Sequence, residues 1–100
     1  MRYLRLKAEE VNISGSHQST ASIVAACVNN PPKGGFSPDV MRSRIRVLDA
    51  LEDANGVLTL EDADAKTLSK CVAEMRWTIC AQGILDFVDL VADLPSEAPE

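Results

Sequence analysis

A helix-dominated α+β domain, with about four helices and a small two-stranded sheet in the order β-α-α-β-α-α, is what this sequence predicts. Three observations carry it. Two short stretches, 2–7 and 57–60, have the composition and spacing of strands. Four longer runs place apolar residues at helical spacing. Strong breaks at Pro31-Pro32, Asn55-Gly56 and Gly83 separate them.

In the first strand Tyr3, Arg5 and Lys7 fall on one face, and Leu4, Leu6 and Ala8 on the other. Val11 and Ile13 continue the alternation in the opposite phase, so Glu9-Glu10 marks a bulge or turn before a weaker strand at 10–13. The polar stretch Ser14 to Thr20 reads as a loop, with a helix starting at Ser19 or Thr20, whose hydroxyl can accept from an orphan backbone N–H. ASIVAACVNN is apolar all round, which predicts a short buried helix ended by Pro31-Pro32. Lys33-Gly34-Gly35 is a mobile loop.

Ser37-Pro38-Asp39 starts the next helix: a Ser cap, Pro at the first position, and a carboxylate at the positive end of the dipole. Val40, Met41, Ile45, Val47, Leu48 and Leu51 share one broad arc, and Arg42, Arg46, Asp49 and Asp53 lie opposite, where Arg46 and Asp49 are spaced to pair. Arg44 falls inside the apolar arc. Asn55-Gly56 supplies the left-handed stop. Val57–Leu60 is a strand whose natural partner is the strand at 2–7, because unpaired buried backbone is costly. Glu61 or Asp62 caps a helix over about 62–76 with the stripe Leu68, Cys71, Val72, Met75. Trp77 to Cys80 is a junction. The last helix follows Gly83, with Ile84, Phe87, Val88 and Val91 on one face. LPSEAPE reads as a disordered tail, which gives one globular domain over 1–94 and a tail over 95–100.

Composition sets bounds on function. The 100 residues are 46% apolar and 25% charged, enough for one aliphatic core with only four aromatics. A net charge of −5 argues against broad capture of nucleic acid, although Arg2, Arg5 and Lys7, and then Arg42, Arg44 and Arg46, could form local basic patches. Cys27, Cys71 and Cys80 are odd in number and widely spaced, so they read as buried thiols rather than disulfides or zinc ligands, as suits a reducing cytoplasm. No apolar run reaches the roughly 18–20 residues of a membrane span, and the charged N-terminal stretch is not a signal peptide.

No cofactor, metal or catalytic constellation emerges. Glu61, Asp62 and Asp64 lack the spacing and glycine of a calcium loop and read as helix-capping acids. His17, the lone imidazole, sits among loop residues with no partner for nucleophilic catalysis. No phosphate-cradling glycine motif appears. The helices at 20–29 and 38–53 are separated by too long a connection for a helix-turn-helix, and Asp39, Asp49 and Asp53 offset the arginines. Protein contact remains, with Tyr3, Arg5, Arg42, Arg44, Arg46, Arg76 and Trp77 as candidate contact residues, since Arg, Tyr and Trp dominate interface energetics. The structural reading of Arg44 is snorkelling along its aliphatic stem, and that of Trp77 is closing the core at a helix end. A two-stranded sheet also leaves edges open to a partner strand or a second copy.

The segments RIRVLDALEDA, GVLTLEDAD and EMRW, with the closing ILDFVDLV, resemble small, mostly uncharacterised proteins encoded by tailed bacteriophages and prophages, over roughly 45–90. The resemblance brings no catalytic residue. It implies a phage product in the bacterial cytoplasm, serving virion assembly or manipulation of the host. The leading expectation is a non-enzymatic interaction or regulatory protein that binds a host or phage factor. The alternatives are a virion-assembly accessory that oligomerises, and a transcriptional regulator binding DNA through 38–53.

Overall fold

The computed structural model describes residues 1–6, 11–13, 16–77 and 80–96, without the side chains of 11–18. Its elements are β1 (Arg2–Arg5), β2 (Val11–Ile13), β3 (Ser16–Gln18), α1 (Thr20–Asn29), α2 (Pro38–Asp53), β4 (Val57–Leu60), α3 (Asp62–Glu74) and α4 (Gln82–Ala92). The chain is a mixed, helix-dominated α+β fold that follows the expected order; the weaker strand expected at 10–13 is present as β2, and an added strand, β3, makes it a hairpin.

β1 and β4 pair antiparallel, Arg2 opposite Leu60 and Arg5 opposite Val57, and the Leu6 N–H donates to the Gly56 carbonyl to extend the ladder. This register turns Leu4, Leu58 and Leu60 inward, where all three are buried. Tyr3 and Arg5 fall on the opposite face of β1. Gly56 takes a φ of 82°, the left-handed conformation expected there, while the extended Ala54 caps α2.

The added strand corrects the reading of Ser14 to Thr20 as a loop: β3 pairs antiparallel with β2, so His17 stands in a strand opposite Asn12. Ser-His-Gln carries no strand pattern of its own; pairing with β2, which lies against α4, imposes one. The turn expected at Glu9-Glu10 and the Thr78-Ile79 part of the junction lie outside the described residues.

The caps of α1 and α2 are the expected ones. The Ser19 hydroxyl accepts from Ser22 N–H and the Ser37 hydroxyl from Val40 N–H, both at 3.2 Å, with Pro38 in the first turn. Around the sheet's inner face pack Val24, Cys27 and Val28 of α1, Val47 of α2, Leu68 and Val72 of α3, and Phe87 and Val91 of α4. The apolar arc of α2 is narrower than the wheel implies. Val47 is fully buried and Leu48 and Leu51 are half-buried, but Met41 and Ile45 are 47% and 46% exposed. The helix meets α1 and α3 on one flank and leaves the other to solvent.

After α4 the chain packs back against β1 at Leu94 and Pro95. Leu94 is buried, the Pro95 carbonyl accepts from Tyr3 N–H at 3.1 Å, and Arg2 Nη1 donates to the Leu94 carbonyl at 3.0 Å. The outer edge of β1 is therefore partly closed by the chain itself. Residues 97–100 lie outside the described residues.

Candidate interaction surface

Arg44, the charge inside the apolar arc and a candidate contact residue, is only 7% exposed. Its Nη1 donates to the Val28 carbonyl at 3.0 Å and to the Asn30 carbonyl, and its guanidinium lies over the Phe36 ring, 5.2 Å from the centroid. The last carbonyls of a helix lack intrahelical donors and carry partial negative charge, so a cation there satisfies both needs. Neither snorkelling nor outward display describes it: the side chain fastens α2 to the end of α1.

The other α2 arginines are occupied by acids. Arg42 pairs with Asp39 at 3.0 Å. Arg46 reaches across to α3, Nε to Asp64 at 3.0 Å and Nη2 to Glu61 at 3.4 Å, instead of pairing with Asp49. The Asp64 hydrogen bond and charge hold this guanidinium above its ordinary pKa. The acids stand where the sequence places them, Glu61 at the N-cap and Asp62 and Asp64 in the first turn of α3, where the helix dipole favours them. Glu61 makes no side-chain cap bond, Asp64 and Glu61 take Arg46, and Asp62 takes Arg2 at 3.4 Å. Among the described residues no group of three or more potential ligands stands where it could hold a metal ion, and no helix is long and apolar enough to cross a membrane.

Arg76 and Trp77 come together where α3 ends. They line a cleft of about 630 Å³ with Met75, Cys80, Ile84 and Leu85, between the end of α3 and the start of α4. Trp77 is half-buried and packs on the core, as a residue closing a helix end does, yet part of its ring still lines the cleft. Leu85 is 56% exposed at the cleft wall, and Cys80 is exposed, against the expectation that all three thiols are buried. Sequence reasoning missed Leu85 because it sits outside the helical face of Ile84, Phe87 and Val91. Its isolation on the polar side was the available signal. Tyr3 and Arg5 stand apart on β1 and do not join this cleft.

A second hollow opens between residues 30–33, α2 and α3. Two adjoining cavities, about 330 Å³ and about 590 Å³, share Pro32, Arg44, Cys71 and Glu74 in their linings. Burial pushes the Cys71 thiol up, against the pull of the Arg44 guanidinium, so it stays neutral at physiological pH. Burial pushes Cys27 up to about 11, with the neighbouring Cys71 adding to the shift. Both behave as small apolar groups with inert thiols.

No protein-family model, curated protein or solved structure matches this chain.

Proposed function

We propose that this chain is a small phage-encoded protein that acts without catalysis, in the bacterial cytoplasm, by binding a host or phage protein through the cleft at the α3–α4 junction. The observation that carries the reading is the meeting of half-buried Trp77, exposed Arg76 and exposed Leu85 around one apolar hollow. Interfaces concentrate their energy in aromatic and Arg anchors seated beside apolar pockets, surrounded by contacts that exclude water. The DNA-binding reading draws less support, because Arg42 and Arg46 on the exposed side of α2 already sit on carboxylates. Self-association, as a virion-assembly part would require, keeps one favouring observation: among the described residues no strand pairs with the outer edge of β4.

Site-specific photocrosslinking tests the reading. A photoreactive residue at position 85 should give a discrete adduct in bacterial extract, and a Trp77→Ala change should remove that adduct. A probe at Glu52, on α2, should give none. Equal adducts from both positions would overturn the assignment. Light scattering that shows large rings or polymers of the purified chain would move the conclusion to virion assembly.

A further inference from the structure

The hollow between residues 30–33, α2 and α3 has the chemistry of an anion site. Its two adjoining cavities are lined by four cations, Lys33, Arg44, Lys70 and Arg76, against two carboxylates, Asp39 and Glu74. Asp39 is already paired with Arg42, while Lys33, Lys70 and Arg76 make no ion pair among the described residues. On a chain of net charge −5 this is a local reversal of sign. At the centre stands Arg44, more than nine-tenths buried and held rigid by the Val28 and Asn30 carbonyls and the Phe36 ring. Both of those hydrogen bonds come from Nη1. Among the described residues Nε and Nη2 have no partner and no buried side-chain nitrogen is left unsatisfied. Those two atoms are therefore the ones that meet solvent, in the hollow that Arg44 lines.

We infer that this hollow binds a small phosphate monoester. A guanidinium fixed along one edge and free along the other presents two roughly parallel donors, the geometry that takes two oxygens of one phosphate. The surplus of about two positive charges matches a phosphate monoester, which carries close to two negative charges at neutral pH. Pro32, Val40 and the neutral Cys71 thiol provide apolar wall for the ester's organic group. The larger cavity's volume of about 590 Å³ falls within the range of small-molecule sites.

The test is a titration followed by amide NMR shifts, using inorganic phosphate, phenyl phosphate and a short phosphoserine peptide in separate arms. Saturable shifts confined to residues 30–33, 40–44 and 67–76 are expected, with phenyl phosphate binding tighter than inorganic phosphate. Lys70→Gln with Arg76→Gln should weaken binding by about tenfold or more, because charge-assisted contacts dominate such sites. Arg44→Lys, checked for an unchanged fold by the remaining amide spectrum, should weaken it as well, since the charge stays and the fork is lost. A peptide arm tighter than phenyl phosphate would support the site and place the phosphate on a protein. Linear, unsaturating shifts, or equal affinity in the double variant, would overturn the inference. Arg76 lines both this hollow and the Trp77 cleft, so the two readings are separated by Leu85→Lys, which should leave phosphate binding unchanged, and by Lys70→Gln alone, which should weaken it without touching the cleft.

Discussion

At the N-terminal end of α3 each of the acids Glu61, Asp62 and Asp64 meets an arginine, whereas at its C-terminal end Lys70, Glu74 and Arg76 make no ion pair among the described residues. The first end uses its charges to tie α2 and β1 to the helix. The second leaves its charges facing two hollows and sets a tryptophan beside them. One helix thus divides its labour: charge at one end is spent on holding the fold, and charge at the other remains available to a ligand. Composition alone cannot distinguish the two, because exposed Lys, Arg, Asp and Glu supply both ends.

The largest effect should come from the middle of α3, where both ends depend on one side chain. Leu68 is fully buried, and Leu68→Ala should cost about 3–4 kcal/mol by denaturant unfolding, with the cavity adding to the lost transfer energy. Probes at the two ends that unfold at different midpoints would break the picture of a single cooperative helix.

Arg44→Gln comes next, at about 2–3 kcal/mol, because the carbonyls of Val28 and Asn30 lose a charged donor in a buried setting. A loss under about 0.5 kcal/mol would show that the end of α1 needs no such donor. The pH dependence is third. The Cys27 thiol holds its proton up to about 11 in the fold against an ordinary 9.0, so the unfolded chain ionises first as pH rises. Its contribution is complete below pH 9 and is lost as pH climbs toward 11, amounting to about 2–3 kcal/mol. Denaturant midpoints measured from pH 8 to pH 11 should fall, and Cys27→Ala should flatten that part of the slope.

The smallest pair of effects addresses the comparison most directly. Arg46→Glu puts a like charge beside Asp64 and Glu61 and should lower the melting temperature at low salt, with recovery at high salt. Arg76→Glu, with no ion pair to lose, should leave the melting temperature unchanged. Equal shifts from the two reversals would erase the distinction between the ends.

Much of the fold was legible in the sequence because its signals are local. Ser37-Pro38 caps where the pattern places it, Gly56 takes the left-handed turn, and β4 pairs with β1 because an isolated strand has nowhere else to put its backbone. What stayed hidden depends on distance along the chain. Spacing assigned Arg46 to Asp49, but the stronger partner, Asp64, arrives from another helix, 18 residues on. Arg44 stood out as a charge on the apolar arc, but its acceptors belong to the end of a different helix, which no periodicity encodes. β3 was invisible because Ser-His-Gln has no alternation and is a strand only beside β2. In the candidate site Arg76 and Trp77 were readable as residue types, but the exposed Leu85 that completes their cleft needed the three-dimensional approach of α4 to α3.

The bonds from Tyr3 N–H to the Pro95 carbonyl and from Arg2 to the Leu94 carbonyl mean that the path into the fold and the path out of it run side by side. A domain closed in this way can be spliced into a surface loop of a carrier protein with only short connecting segments, because the host's two cut ends need hardly separate. It also means that joining residue 95 back to residue 2 and reopening the chain elsewhere, in the turn containing Gly34 and Gly35, would keep the β1–β4 ladder while relocating both ends. That makes the fold a movable cassette, whose cleft and hollow could be presented from whichever point an experiment requires.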